Sequence, residues 1–470
     1  RRGNYATATA TDITVFQDII GHNHVLTDPS ELEGNNIDWI KTVRGQSSIL
    51  LKPKTTAEVS KILKYCNDQK LAICPQGGNT GLVGGSVPVF DEIILSTQRM
   101  NDFISVDPVA GCVAVCQAGC VLEALSQELN KHDIIVPLDL GAKGSCHIGG
   151  NISTNAGGLR LLRYGSLRGS VLGVEAVLAD GTILDCLSTL RKDNTGYDIK
   201  QLMIGSEGTL GFVTAVSILC PQKPKSLNLA FLGVDTFEGL LHVLRKAKQD
   251  LGEILSAVEF LDSACMGLVK THLNLTNPIG EHEFYMLIET SGSNTQHDEE
   301  KLSSFLDEIM TSQTVSDGTI ATDLNKMQAI WGLRERQAEA LLHEGYNFKY
   351  DVSLPTHVMY DMVLDTRRHL EGLCTSVVGY GHLGKCDGNL HLNVTCPQYN
   401  QTIASAVEPF VYEWTAKHKG SISAEHGLGF KKRNYISYSK SNESITMMKK
   451  IKKLFDPNGI LNPYKTLPDT

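Results

Sequence analysis

Apolar residues return along this chain at two different spacings, and each change of spacing marks an element. Thr55 and Glu58 make a capping-box pair, and Val59, Ile62, Leu63 and Cys66 follow at helical intervals. Residues 71–74, 93–95 and 113–115 are short apolar runs between turns, which predict strands, and residues 122–130 return to the helical spacing. A polar, proline-containing stretch follows at residues 221–226. Beyond it the spacing predicts helices over 237–248, 297–310 and 358–370, and strands over 283–290 and 348–354. Residues 389–395 also read as a strand, which places Asn389, His391, Asn393 and Thr395 on one face. The last element, over 445–455, is a lysine-rich amphipathic helix ended by Asp456-Pro-Asn-Gly459. The class is α+β, with no internal repeat.

Length and charge narrow this picture. At 470 residues the chain exceeds one hydrophobic core and calls for two or three domains. Hydrophobic content of 41% and charged content of 20% are those of a globular protein. A net charge of -9, with no basic run denser than Lys431-Lys432-Arg433, argues against nucleic acid as a partner. No apolar stretch is long enough to span a bilayer. The 12 cysteines form no CxxC pair, and Cys112, Cys116 and Cys120 sit among Val and Ala as in a buried strand. That pattern predicts reduced core thiols and a reducing compartment. Asn151 and Asn393 begin glycosylation triplets but fall inside candidate site motifs, so they read as chance matches. The opening Arg-Arg-Gly-Asn-Tyr-Ala-Thr-Ala-Thr-Ala resembles the tail of a transit peptide.

Glycine-rich stretches carry the first candidate chemistry. Gly77, Gly78, Gly81, Gly84 and Gly85 free the backbone to present successive N–H groups, a nest that binds anions without formal charge. No Lys or Arg occurs over residues 75–90, so amides with Asn79, Thr80 and Ser86 would hold the anion. One such loop reads equally well as a cluster of tight turns. Residues 144–160 and 205–211 repeat the composition and favour the phosphate reading, while the nicotinamide fingerprint and the Walker A motif are both absent.

The second candidate chemistry lies in the C-terminal half. His391 alone reads as part of a solvated strand face. His382 and Glu425-His426 arrive in similar glycine-rich turns, and two imidazoles with one carboxylate are the ligand set of an open divalent-metal site. His426 is either a fourth ligand or a base; three ligands already leave open positions, which assigns it as the base. Arg334 lies on a helical stripe with Trp331, Ala338 and Leu341, where a buried cation needs an anion. That anion is either a core carboxylate or a substrate. Lys349 alternates with Phe348 and Tyr350 and so points away from the aromatic face.

Pro75-Gln-Gly-Gly-Asn-Thr-Gly81, Gly149-Gly-Asn-x-x-Thr-Asn-Ala-Gly-Gly158 and Gly205-Ser-Glu-Gly-Thr-Leu-Gly211 resemble the FAD-binding domain of the vanillyl-alcohol oxidase and p-cresol methylhydroxylase superfamily. Trp331-x-x-Arg334-Glu335, Lys349-Tyr-Asp-Val-Ser-Leu-Pro355, Gly381-His-Leu-Gly384, Asp387-Gly-Asn-Leu-His391, Ala424-Glu-His-Gly427 and Gly459-Ile-Leu-Asn-Pro-Tyr-Lys465 narrow the resemblance to its mitochondrial D-2-hydroxyglutarate dehydrogenase family. The resemblance covers nearly the whole chain. It implies an N-terminal segment over 1–45, a two-part FAD-binding domain over 46–222, an α+β substrate and metal (cap) domain over 223–425, and a C-terminal helical segment over 426–470. Noncovalent FAD would lie on Gln76, Gly77, Gly78, Asn79, Thr80, Gly81, Gly85 and Ser86, then on Gly149, Gly150, Asn151, Thr154, Asn155 and Gly158, with Asn462 returning to it.

The same resemblance implies a metal, usually zinc, on His382, His391 and Glu425, and a 2-hydroxyacid bound by Arg334, Lys349, Asn393 and His426. It further implies oxidation of D-2-hydroxyglutarate to 2-oxoglutarate in the mitochondrial matrix, electron-transfer flavoprotein as acceptor, and a homodimer. Two positions depart from the family pattern: Lys385-Cys386 is inserted before Asp387, and Ala338 stands where relatives often carry Thr. A D-lactate or glycolate dehydrogenase, a flavin-dependent alkyl transferase, and a flavoprotein inactivated by the insertion remain alternatives.

Overall fold

Residues 2–109, 113–384 and 387–469 are described by a computed structural model, and the chain divides into two compact units. The first comprises residues 1–158, 165–223 and 425–470, the second residues 159–164 and 224–424.

In the first unit, the helix Thr56–Gln69 starts on the capping box of Thr55 and Glu58 and buries Val59, Ile62, Leu63 and Cys66. That face shares one apolar core with two sheets. Among the described residues, Ile73, Ile93 and Leu95 come from a four-stranded sheet, and Val177 and Phe212 from a five-stranded antiparallel one. Each such side chain removed from water contributes about 1.5–3 kcal/mol. The strand expected over 71–74 runs instead as Ile73–Gln76. Leu71 makes only an isolated bridge to Ala6, and Pro75 is accepted because its strand ends the sheet order, where a missing N–H is tolerated. A second core, with Leu125, Leu129, Ile152, Val174 and Val216, anchors the short helix Ile148–Thr154, which the glycine-rich reading did not foresee.

The second unit is built on a seven-stranded antiparallel sheet among the described residues. Its order is Asp317–Ala321, Ser226–Val234, Phe284–Gly292, Leu255–Asp262, Ser376–Leu383, Asp387–Cys396 and Tyr346–Pro355. Register matters more here than order. Glu259 lies opposite His382, and His382 opposite Asn389; Leu261, Tyr380, His391 and Asp351 form the next row. Val378, Asn393 and Lys349 form a third. Residues directly opposite share a face, so the polar rows lie on the same side of the sheet as the core of Leu229, Phe231, Leu261, Tyr285 and Leu287.

The helical stripe expected to carry Arg334, Ala338 and Leu341 is two helices, Leu324–Glu335 and Gln337–Leu342. The chain turns at Arg336 (φ -89°, ψ 12°). The buried Gln337 amide donates to the Leu333 carbonyl at 2.7 Å, serving backbone near the end of the first helix. Ala338 is therefore exposed on the following helix rather than beside Arg334 on one stripe.

Candidate functional site

Three glycine-rich segments of the first unit meet around one groove with about 890 Å³ of empty space, its open mouth included. Gln76, Gly77, Gly78, Asn79, Thr80, Gly81, Gly85, Ser86, Gly149, Gly150, Asn151 and Thr154 line it; Asn155, Gly158 and Asn462 do not. A Cβ at Gly78 would lie 2.0 Å from the Ser145 carbonyl oxygen, so only glycine lets the first loop approach the second. At Gly81 and Gly150 an added Cβ would meet nothing within 4 Å, which leaves bare backbone facing open space. A glycine cradle of this kind fits a cofactor held by backbone groups.

Several polar side chains brace this groove. Asn79, at φ 53°, donates to the Ile37 carbonyl at 2.8 Å and accepts from Ser86 Oγ at 2.7 Å, while Gln76 donates to the Ser86 carbonyl at 2.8 Å. Asn462 donates to the carbonyls of Gly85 (3.0 Å) and Glu207 (2.7 Å) and accepts from Lys465 Nζ at 2.7 Å. Its place is behind the loops, as a tie between them. Glu207 accepts the backbone N–H groups of Leu428 (2.9 Å) and Gly429 (2.7 Å), and burial pushes its carboxyl above the usual range. These bonds seat the segment carrying Glu425 and His426. Glu425 accepts from the Gly158 N–H at 2.7 Å, and His426 lines the groove. His147 also lines it, with Nδ1 2.8 Å from Thr97 Oγ1, and burial holds its imidazole below the ordinary value.

The second unit brings His382 and His391 together, as diagonal neighbours on adjacent strands. Their Nε2 atoms face each other at 3.3 Å. Behind them stand buried carboxylates: Glu259 Oε1 lies 2.6 Å from His382 Nδ1, and Asp351 Oδ1 lies 3.7 Å from His391 Nδ1. Asn389 donates to Asp351 Oδ1 at 2.8 Å. A carboxylate beside Nδ1 holds the ring proton there and turns the Nε2 lone pair towards the other ring. Two imidazole nitrogens converging this closely, one of them with its rear nitrogen held by a buried carboxylate, are a donor set that fits a divalent ion. The strand carrying His391 and Asn393 is covered on both faces, with Asn393 and Thr395 buried, so the solvated-face reading fails.

Arg334 is buried and pairs with Glu259 Oε2 at 2.9 Å, its guanidinium over the Tyr380 ring at 4.6 Å. The core carboxylate is thus present. Arg334 Nε is nevertheless a buried donor with no hydrogen-bond acceptor among the described residues. Lys349, opposite Asn393, is half-buried, and burial pushes its ammonium pKa down. Glu259, Asp351, Glu207 and His147 were not singled out from sequence. The signal for Glu259 was present: a carboxylate set between apolar neighbours in the run Ala257-Val-Glu-Phe-Leu261. The inserted Lys385-Cys386, like Cys112, lies outside the described residues.

Comparison with known proteins places both halves. Residues 47–187 match the family described as "FAD binding domain", and residues 223–466 match "FAD linked oxidases, C-terminal domain". The chain is 63% identical over 465 residues to D-2-hydroxyglutarate dehydrogenase, mitochondrial, of Danio rerio, covering 99% of this chain and 86% of that protein. It is 59% identical over 464 residues to the protein of the same name from Rattus norvegicus, covering 99% and 86%. Among solved structures, p-cresol methylhydroxylase superposes with a TM-score of 0.79 at 16% identity, covering 98% of this chain and 96% of that one. At that identity the likeness shows the fold alone, and it bears out the expected α+β architecture.

Proposed function

Because the chain belongs to the FAD-linked oxidase family, we propose that it oxidises D-2-hydroxyglutarate to 2-oxoglutarate as a flavin- and divalent-metal-dependent dehydrogenase. The observation that carries this reading is 63% identity, over 99% of the chain, to a protein named for that activity. The bound groups supply hydride acceptance, by the flavin, and polarisation of the C2 hydroxyl, by the metal ion. His382 and His391 contribute two metal ligands, and Glu425 the third on the strength of its sequence motif. Zinc is the proposed ion.

The remaining steps belong to the chain's own side chains. Arg334 and Lys349 bind the substrate carboxylates, and Asn393 donates a hydrogen bond beside them. Support comes from Arg334 Nε, a buried donor that a carboxylate would satisfy. His426 accepts the C2 hydroxyl proton as the C2–H bond breaks and its electron pair departs with the hydrogen. Electron-transfer flavoprotein is the proposed acceptor, and the mitochondrial matrix the proposed compartment, since the relatives are named mitochondrial. A homodimer is proposed from the family resemblance.

Steady-state kinetics with D-2-hydroxyglutarate, D-lactate and glycolate test the reading, which expects the highest kcat/KM with the dicarboxylate. In Lys349→Met, loss of one charged hydrogen bond worth about 1.5–3 kcal/mol raises KM for D-2-hydroxyglutarate roughly 10- to 150-fold. A monocarboxylate turned over more efficiently than D-2-hydroxyglutarate by the unmodified protein would overturn the substrate assignment.

A further inference from the structure

Glu259 stands out as a charged side chain that is 1% exposed and grips two other groups at once. Oε1 lies 2.6 Å from His382 Nδ1, and Oε2 lies 2.9 Å from Arg334 Nη2. The register explains how: Glu259 and His382 are direct partners on neighbouring antiparallel strands, with their side chains on one face. Arg334 reaches the same face from the helix Leu324–Glu335. All of these residues, with His391, belong to the second unit.

Resting on the metal reading above, we propose that Glu259 is a positioning residue that locks His382 as the Nδ1–H tautomer, aims its Nε2 at the ion, and forms an ion pair with Arg334 through its other oxygen. One carboxylate then orients a metal ligand and balances the charge of the cation that takes the substrate carboxylate. Asp351 Oδ1 stands 3.7 Å from His391 Nδ1, so a buried carboxylate lies near the rear nitrogen of the second ring as well. A buried carboxylate with nothing to orient would be costly, and a hydrogen bond to the rear nitrogen of a ligand imidazole both fixes the ring and raises its basicity.

The contrast within the same strand is informative. Asp262 is also buried, but it binds Arg367, Tyr360 and the N–H groups of Cys265 and Gly379, none of them an assigned metal ligand. It serves as the structural control.

The test is cobalt(II) titration of the chelator-treated flavoprotein, read by its visible ligand-field bands, with flavin content and Tm measured alongside. Glu259→Gln, which keeps the shape but removes the charge, is expected to weaken cobalt binding 10- to 100-fold with flavin retained. Glu259→Asp is expected to fall between it and the unmodified protein. Asp262→Asn is expected to lower Tm and leave cobalt affinity unchanged. Unchanged cobalt affinity in either soluble Glu259 variant would overturn the proposal, as would failure of the unmodified protein to bind cobalt. If the unmodified protein binds cobalt, the variants lose it, and D-2-hydroxyglutarate is not oxidised, the substrate reading fails while the positioning role stands.

Discussion

Lys349 sits half-buried on a strand opposite Asn393, and burial lowers its pKa, so its charge is held at a cost that a bound anion offsets. The sign follows from linkage. Its folded pKa lies below the unfolded one, so its contribution to stability is full above the unfolded pKa and is lost as pH falls through the folded pKa. On the proposed assignment of Lys349 to the substrate carboxylate, binding has the opposite dependence, because a dicarboxylate would need the ammonium. We therefore expect kcat/KM for D-2-hydroxyglutarate to fall on an alkaline limb set below the ordinary lysine pKa. The limb should be absent from the pH profile of Lys349→Met, and a limb that survives the substitution would assign it to another group. Lys349, Arg334 and His382 could be singled out as candidates because each sits in a long motif; their partners in the fold were not legible. Glu259 is 75 positions from Arg334 and 123 from His382, and only the strand register joins them.

At the scale of elements, local signals and packing contribute separately. The helix Thr56–Gln69 was legible to its starting residue because Thr55 accepts the Glu58 N–H while Glu58 returns to the Thr55 N–H. Thr55→Ala is expected to cost about 1 kcal/mol and to lower Tm by roughly 2–4 °C, measured by thermal denaturation. Gly267 lies exposed inside the helix Ser263–Leu273, and a Cβ there meets nothing within 4 Å. Gly267→Ala should accordingly raise stability by about 0.5–1 kcal/mol, and a fall would place an unseen neighbour at that position. Where tertiary contacts overrule the spacing, the sequence is silent. The break at Arg336 depends on Gln337 reaching the Cys265 and Leu333 carbonyls, and the strand through Pro75 depends on its place at a sheet edge.

For the whole molecule, the cofactor half and the metal half of the sequence pattern correspond to different chemistry held by different means. The first unit presents glycine backbone, with Asn79, Asn462 and Glu207 bracing it; the second presents side chains in register on a sheet. Phosphate binding was legible in the glycine-rich stretches, with no Lys or Arg over residues 75–90, and flavin through the resemblance of three of those motifs to a known family. The choice of a D-2-hydroxy dicarboxylate rests on family likeness together with Arg334 and Lys349. It is tested most directly by an anaerobic visible titration of the flavin-loaded protein with D-2-hydroxyglutarate. The yellow spectrum is expected to bleach with the D acid and to persist with its L enantiomer. A flavin-loaded, metal-replete protein that stays oxidised in excess D-2-hydroxyglutarate would contradict it.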